Sequence, residues 1–451
     1  MMTKNMPSHS AQEWGPIPES NLSARALAVA REVAERCKSR EHLLAANDAA
    51  LKQTTFPQTI YWEPHGVAQG DAGIALMCSY FDACFPAEGW DKTGHEYLTW
   101  ATRGAETTGP HHAGLYSGLA GLGFSAWSLS RNGSRYKKLL TSLDYSISGQ
   151  ALEPSAALAG RHGVAVSEFD LIVGLSGVAA YLLQRGYEPP MDVALQAILD
   201  SLVALTEEAE GIPHWYTPYH LLAGEGMAEH YPEGNLNCGL AHGIPGPLGV
   251  MALGLEAGLP VEGLREAVTR TAQWLVRHRS GDPYGVNWPT VVPYSVQGNV
   301  EPGQLDSSRA AWCYGAPGVA RSLWLAGRAL GDEALQKIAV EGMEAVYRRP
   351  IEERRIDSPT FCHGVAGLLQ VTLRFAHDTG LPVFTEAASG LTEQLLSMYD
   401  PDRALGFCSI EPGGNLVDQP GLLDGAPGVA LVLLAASSNV EPTWDRLFLL
   451  S

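Results

Sequence analysis

Two short segments of the sequence combine thiol and imidazole side chains with closely spaced glycines. They are residues 312–318 (WCYGAPG) and 361–367 (FCHGVAG), and in each a cysteine stands two residues before the first glycine of a Gly-x-x-Gly pattern. Two thiolates and one imidazole are good zinc ligands, and three protein ligands with an open fourth position are typical of catalytic sites. We therefore predict that Cys313, Cys362 and His363 bind one zinc ion per chain. The alternative is that they are two buried structural cysteines and a core histidine.

The Gly-x-x-Gly pattern, each time followed by an apolar run, occurs seven times along the chain. Its first glycines are Gly70, Gly118, Gly174, Gly243, Gly315, Gly364 and Gly425. Runs such as residues 178–183 and 429–434 are apolar nearly all round, which indicates buried helices, with short buried strands as the rival. Because all seven runs begin with the same motif, we expect their N-termini to gather on one face. The residues just before the glycines should then line one mouth.

Amphipathic stretches separate these apolar runs, which predicts two layers of helices. The fold expected is an all-α α/α toroid, with seven inner helices ringed by outer ones over residues 21–451. The amphipathic stretches are residues 23–36, 191–205, 261–277, 333–347 and 384–398. Two segments interrupt this alternation of apolar and amphipathic stretches. They are residues 186–237, predicted to hold a small inserted subdomain, and the Gly/Pro-rich loop 280–308. Residues 1–20 are polar and are predicted to be a disordered N-terminal tail.

The composition limits the class of protein and its partners. The chain has 451 residues and a net charge of −19, which argues against nucleic acid or an anionic membrane surface as the main partner. No run approaches the roughly 18 apolar residues of a transmembrane helix. Seven cysteines, an odd and sparse number, with no signal peptide, indicate a reducing compartment, so the sequence predicts a cytoplasmic protein with free or metal-bound thiols.

Further residues of the predicted mouth could carry proton chemistry. His242 stands just before Gly243, and it is a candidate general acid or base, a fourth zinc ligand or a core histidine. Asp170, in an apolar setting, needs a partner or caps a helix. Arg309 is either a solvated loop residue or a partner of Asp170. Cys238 is out of register with the two predicted ligands and is interpreted as structural.

These motifs resemble those of the lanthipeptide cyclase (LanC-like) family over about residues 66–432. The matching strings are residues 170–172 (DLI), 174–177 (GLSG), 239–243 (GLAHG), 312–315 (WCYG), 362–364 (CHG) and 424–428 (DGAPG), together with Arg309. The resemblance implies an α/α toroid with zinc held by Cys313, Cys362 and His363. It also implies catalytic roles for Asp170, His242, Arg309 and Tyr314, with Trp312 beside them, although an aromatic residue at such positions is more often packing. An inserted subdomain after the third inner helix is a further family feature that fits residues 186–237.

The family reaction joins a peptide cysteine thiol to a dehydroalanine or dehydrobutyrine of the same precursor, which makes a (methyl)lanthionine thioether ring. The resemblance therefore implies a dehydrated precursor peptide as substrate and a lanthipeptide dehydratase as a further partner. One alternative is a non-catalytic protein that binds glutathione or another thiol. Another is a zinc hydrolase, whose carboxylate base would be Asp424 or Asp170, the candidates in register with the motifs.

Overall fold

The computed structural model describes residues 13–109, 111–224, 226–294, 305 and 307–451. Within these residues the α-helices are α1 (Ser20–Arg36), α2 (Arg40–Gln53), α3 (Asp71–Cys84), α4 (Trp90–Thr107), α5 (Leu119–Ser128), α6 (Lys137–Ala159), α7 (Val166–Phe169), α8 (Leu175–Arg185), α9 (Met191–Leu205), α10 (Met227–His230), α11 (Pro245–Glu256), α12 (Leu264–Arg277), α13 (Ala316–Leu330), α14 (Glu333–Arg348), α15 (Val365–Thr379), α16 (Pro382–Ser397) and α17 (Ala426–Ser437).

Within the described residues, the helices are accompanied by short antiparallel hairpins and by one pair of strands that are distant in sequence. The strands are β1 (Glu208–Ala209), β2 (Ile212–Pro213), β3 (Asn235–Asn237), β4 (Ser280–Asp282), β5 (Gly285–Asn287), β6 (Val291–Pro293), β7 (Ser409–Glu411) and β8 (Asn415–Val417). They pair as β1–β2, β3–β6, β4–β5 and β7–β8. Among the described residues, no helix combines the length and the apolar composition needed to cross a bilayer.

Seven helices form the predicted inner layer, and each begins at one of the Gly-x-x-Gly motifs. They are α3, α5, α8, α11, α13, α15 and α17, and each contacts the next until α17 returns to α3. The ring therefore closes on itself. The inner helices are buried nearly all round, as the apolar runs predict; in α17 every residue from 426 to 436 is buried.

A second layer of helices surrounds this ring. Among the described helices, α4 packs on α3, α6 on α5, α9 on α8, α12 on α11, α14 on α13, α16 on α15 and α1 on α17. These helices are amphipathic because each needs only one apolar stripe toward the inner layer. In α14 the Asp332 side chain caps the N-terminus by accepting from two backbone N–H groups, and the buried residues recur at helical spacing: Leu335, Ala339, Val340, Gly342, Met343, Ala345 and Val346. The all-α toroid prediction is confirmed.

Two boundaries differ from the sequence prediction. Of the tail predicted over residues 1–20, residues 1–12 lie outside the described part, but Trp14 and Ile17 are buried, and the Trp14 indole donates to the Ala435 carbonyl at 3.0 Å. Residues 13–19 are therefore packed on α17 rather than free. Helix α9 packs against α6, α8, α11 and α12 as an outer helix, so the irregular part of the predicted insertion begins only at Thr206.

A closed ring of backbone hydrogen bonds joins the seven segments that precede the inner helices. In each segment the amide donates to a carbonyl of the next segment, with N···O distances of 3.1–3.4 Å. We call this set the backbone ring; its bonds are Ala68 N to Tyr116 O, Tyr116 N to Ile172 O, Leu171 N to Ala241 O, Ala241 N to Cys313 O, Cys313 N to Cys362 O, Cys362 N to Leu423 O and Leu423 N to Ala68 O. The residues of the mouth are thus placed by main-chain atoms.

The second glycine of each motif allows the chain to approach the helix closely. At six of the seven positions an added Cβ would overlap the carbonyl oxygen of the residue six places earlier, and these are Gly73, Gly121, Gly177, Gly318, Gly367 and Gly428. At Gly246 the corresponding separation is 3.1 Å. A side chain at these positions would push the segment that carries the backbone ring away from its helix.

Replacement of Gly121 by alanine should therefore lower the free energy of unfolding, by about 1–3 kcal/mol, because the methyl group would overlap the Leu115 carbonyl. Gly149, in the exposed middle of α6, is the matched control because an added Cβ there has no neighbour within 4 Å. Gly149→Ala should raise stability by about 0.5–1 kcal/mol. Denaturant unfolding of both variants measures the difference. Equal shifts in the two would show that the close approach is not what requires Gly121.

Candidate metal centre and active site

The two cysteines predicted to bind zinc lie side by side in the structure. They precede the neighbouring inner helices α13 and α15, and the Cys313 amide donates to the Cys362 carbonyl at 3.2 Å. Their side chains are close enough for Cys313 to affect the pKa of Cys362. Cys313 is 6% exposed, whereas Cys362 is partly accessible from the mouth. The two cysteines hold equivalent positions in neighbouring repeats, and this brings their thiols together.

A third and a fourth donor stand beside Cys362. Its sulfur, an imidazole nitrogen of His363 and a carboxylate oxygen of Asp424 all lie within 4.8 Å of one another. Cys313 is outside that set of three and joins it through the thiol of Cys362. We call Cys313, Cys362, His363 and Asp424 the thiol–imidazole cluster. Its donor types suit zinc.

The electrostatics of this cluster favour a bound cation. Hydrogen bonding to Cys313, which Cys362 can donate only while it is protonated, and then burial raise the pKa of Cys362 well above its usual range, and the positive charge of Arg309 acts in the opposite direction. Burial also raises the pKa of Asp424. The buried Oδ1 atom of Asp424 has no hydrogen-bond partner among the described residues. A divalent metal ion would supply the missing positive charge and deprotonate coordinating thiols, so these residues fit zinc.

His242 and Asp170 form a pair at the same mouth. The His242 Nδ1 atom lies 2.7 Å from Asp170 Oδ2, while Asp170 Oδ1 accepts from the amides of Val173 at 2.9 Å and Gly174 at 2.8 Å. The side chain of Asp170 is 1% exposed and that of His242 is 40% exposed. The buried carboxylate therefore accepts a proton-bearing Nδ1 and leaves the Nε2 side of the ring for the mouth. Asp170 follows α7 as its C-cap residue and is not the N-cap of α8, which is Gly174. Its side chain pairs with His242 rather than with Arg309.

Tyr314 lies near both this pair and the thiols. Its hydroxyl accepts a hydrogen bond from the Asn237 side chain at 3.2 Å, and its ring centroid is 6.5 Å from that of His242. Burial raises the pKa of Tyr314 to about 12, against the hydrogen bond from Asn237, and the nearby groups Cys313, Cys362 and Asp170 raise it further. The phenol therefore keeps its proton at neutral pH and can donate a hydrogen bond.

Arg309 is exposed and forms no hydrogen bond or ion pair with another described residue. Its charge is close enough to Cys362 to lower the pKa of that thiol. It also lines a cavity of about 400 Å³ together with Arg355, Tyr231 and Ser308. This cavity provides space beside Arg309 for part of a polar ligand.

Trp312 lies in the core beneath the mouth. Its side chain is fully buried, and the indole N–H donates to the Phe448 carbonyl at 3.0 Å. The rings of Tyr116, Phe361 and Phe448 surround it. Trp312 therefore packs beneath the mouth and supports the segment that carries Cys313, and the catalytic role implied by the resemblance stays a prediction. Cys238 is fully buried, in keeping with its structural interpretation.

Comparison with known proteins shows to which family the chain belongs. The family model described as "Lanthionine synthetase C-like protein" matches residues 61–449. The chain belongs to this family. The curated "Nisin biosynthesis protein NisC" of Lactococcus lactis subsp. lactis is 26% identical over 388 residues, which is 85% of this chain and 88% of that protein. The solved structure of "Nisin cyclase" matches with a TM-score of 0.75 and 24% identity, covering 91% of this chain and 98% of that one, and supports the toroid fold.

In this lanthionine synthetase C-like protein, the sequence gives little indication of two residues of the site, Asp424 and Asn237. From the sequence, Asp424 is predicted only as the base of a hydrolase, although it holds the same position before its first glycine as His363 does. The shared register was the signal that could have placed it beside His363. Asn237 lies at the end of β3, and nothing in the sequence links it to Tyr314.

Removal of either cluster thiol should remove the metal from this lanthionine synthetase C-like protein. Cys313→Ala and Cys362→Ala should each lose most of the one zinc expected per chain, because each variant lacks one of the two thiolates predicted to bind the ion. Cys238→Ala, which removes a buried thiol outside the thiol–imidazole cluster, should keep it. Elemental analysis of the purified variants measures the content. Full zinc in both cluster variants would contradict the assignment.

Proposed function

We propose that this protein is a zinc-dependent lanthionine cyclase that adds peptide cysteine thiols to dehydroalanine or dehydrobutyrine in a lanthipeptide precursor. One observation carries the proposal. The thiol–imidazole cluster and the hydrogen-bonded His242–Asp170 pair lie at one mouth, with Tyr314 beside both. Membership of the lanthionine synthetase C-like family supports the same reaction.

Cys313, Cys362 and His363 would hold the zinc in this proposal. The bound ion supplies one chemical function, which is to keep the substrate thiol deprotonated at neutral pH although a free thiol has a pKa of about 8.5. Arg309 adds positive charge on the same side of the mouth, as its effect on Cys362 indicates. The cavity beside Arg309 gives the peptide around the reacting cysteine a place to lie.

His242 would accept the thiol proton and then donate it to the α-carbon. When the sulfur bonds to the β-carbon of the dehydroamino acid, the π electrons move toward the carbonyl and leave an enolate that needs a proton at its α-carbon. The Nε2 side of His242 faces the mouth, and Asp170 stabilises the protonated ring through Nδ1. The thiol proton can pass to His242 and return to the α-carbon, so that the addition involves no net gain or loss of protons.

Tyr314 and Arg309 would stabilise the enolate. With a pKa raised to about 12, the Tyr314 phenol stays a neutral hydrogen-bond donor, and Arg309 is a cation with no competing ion-pair partner among the described residues. Donors fixed in place before the reaction are most effective where negative charge develops. Asn237 holds the Tyr314 hydroxyl by donating to it at 3.2 Å, which fixes the direction of the phenol.

The proposal implies a substrate that has already been dehydrated, and hence a dehydratase that acts on serine or threonine earlier in the pathway. The seven cysteines carry free thiols, and a reducing compartment such as the cytoplasm would keep both them and the substrate thiols reactive. A zinc hydrolase would instead use the carboxylate of Asp424, which lies beside Cys362 and His363. The two functions differ in product, because cyclisation leaves the peptide mass unchanged whereas hydrolysis adds water.

His242→Asn should abolish most cyclisation while keeping the fold and the zinc, because the enolate loses its acid. A general acid or base is worth about 10²–10⁴ in rate. The assay incubates a dehydrated precursor peptide with the protein and follows the loss of alkylatable thiols by mass spectrometry. Loss of zinc in this variant would make His242 a ligand, and an unchanged rate would make it a bystander.

Asp170→Asn should slow cyclisation nearly as much as His242→Asn does, because it changes the tautomer of His242. The backbone amides of Val173 and Gly174 need an acceptor, so the asparagine oxygen would stay with them and its NH₂ group would face the imidazole. Nδ1 would then become an acceptor, which places the proton on Nε2 and removes the base. The double variant with His242→Asn should be no slower than His242→Asn alone. Additive losses would show that the residues do not act as a pair.

A further inference from the structure

Two arginines from different parts of the chain line the cavity of about 400 Å³ beside the mouth. Arg309 lies in the segment before α13, and Arg355 follows the 3₁₀ turn Ile351–Arg354. A main-chain hydrogen bond from the Ala310 amide to the Arg354 carbonyl, 2.8 Å long, joins the two segments. The backbone therefore brings two guanidinium groups to one cavity, although their like charges repel each other.

No carboxylate of the described residues neutralises these two charges. Neither Arg309 nor Arg355 forms an ion pair with a described residue, whereas Arg349, a few positions earlier, pairs with Asp282 at 2.8 Å. The described residues that line the cavity include no aspartate or glutamate. The chain has 49 acidic residues against 30 lysines and arginines, so carboxylates are not scarce. The cavity is a local cationic site in an acidic protein, and such a site attracts anions.

Arg354 and Arg355 are consecutive, but their side chains have different partners. The Arg354 guanidinium is partly buried and donates to the carbonyls of Tyr347 at 3.2 Å and Arg349 at 3.1 Å. Arg355 is exposed, and one of its N–H groups donates to the Ser307 carbonyl at 3.3 Å. Because a guanidinium carries five N–H donors, Arg355 keeps several for a ligand while this bond holds it against the cavity wall.

The other walls of the cavity suit the stem of an acidic side chain. Pro289, Val291 and Pro293 supply apolar surface, and the hydroxyl oxygens of Thr290 and Ser308 are paired with each other at 2.8 Å. An aspartate or glutamate could place its methylene groups against the apolar wall and its carboxylate against the guanidinium groups. Arginine binds a carboxylate through two parallel hydrogen bonds, which fixes the orientation as well as the position of the group.

We propose that the cavity between Arg309 and Arg355 binds a carboxylate of the precursor peptide. The inference rests on the proposed function, because it describes a feature of that reaction's substrate. Arg309 belongs to both the mouth and the cavity, so the bound carboxylate would lie only a few residues from the reacting cysteine. Arg355, which has no part in the proposed reaction, would be a residue that determines substrate specificity. The carboxylate would come from an acidic side chain or from the end of the peptide.

The experiment measures the binding of short fluorescein-labelled peptides by fluorescence anisotropy. Each amidated peptide has one cysteine and either a glutamate or a glutamine, placed in turn at each of the four positions before and after the cysteine. Wild-type protein should bind the best glutamate peptide about tenfold more tightly than its glutamine counterpart, because a charged hydrogen-bonded pair replaces a neutral one. Arg355→Gln should reduce this preference to about threefold or less, and Arg355→Lys, which keeps the charge but not the planar fork, should be intermediate.

Arg103→Gln is the matched control. Arg103 is exposed on α4 and does not line this cavity, so the variant removes the same charge elsewhere and should keep the preference for glutamate. An equal loss of preference in Arg103→Gln would attribute the effect to net charge and overturn the inference. A preference that survives in Arg355→Gln would overturn it too, as would wild-type protein that binds both peptides equally or neither at millimolar concentration.

One more peptide, with glutamine and a free C-terminal carboxylate, identifies the source of the group. Tight binding of the amidated glutamate peptides assigns the cavity to an acidic side chain, and tight binding of the free acid alone assigns it to the chain end. Either result supports a carboxylate site. Failure of the proposed function is distinguishable, because the protein would then keep its preference for a carboxylate and form no rings in a dehydrated precursor.

Discussion

The backbone ring is the interaction on which the rest of this structure depends. Seven segments run into the centre of a toroid, where their amides and carbonyls are shielded from water and need partners. Each segment satisfies one amide with the carbonyl of the next, and the last bond, from Leu423 to Ala68, closes the circle. Because the partners are main-chain atoms, the ring fixes positions but leaves the side chains free to vary. The glycines complete this arrangement, because they let each segment lie against the start of its helix.

The same bonds create both chemical pairs of the mouth. The bond between Cys313 and Cys362 brings the two thiols together, and the bond from Leu171 to Ala241 brings Asp170 next to His242 across 72 positions of sequence. Neither pair depends on a loop that must fold around a ligand. The geometry of the mouth is therefore built into the closure of the toroid, which agrees with the general need to hold reacting groups on rigid elements.

The repeat could be predicted from the sequence because its signal is local: a glycine pair and an apolar run suffice to define each inner helix and the register of the residue before it. That register placed Cys313, Cys362, His363 and His242 at one mouth. It could not tell which side chains turn inward, so Trp312 was expected in the site although it is fully buried. The packing of Trp14 against Ala435 was also hidden, because it joins residues 421 positions apart and no local pattern encodes it.

The two carboxylates of the mouth differ in how firmly they are held, and this difference suits different tasks. Asp170 is 1% exposed and uses both oxygens, one on two backbone amides and one on His242, so it cannot move without breaking all three bonds. A carboxylate held this way can orient an imidazole. Asp424 accepts no hydrogen bond from the described residues, and its Oδ1 atom lies 3.6 Å from His363 Nδ1. A residue that fixes a tautomer must be held as firmly as Asp170 is, and Asp424 is not held in this way.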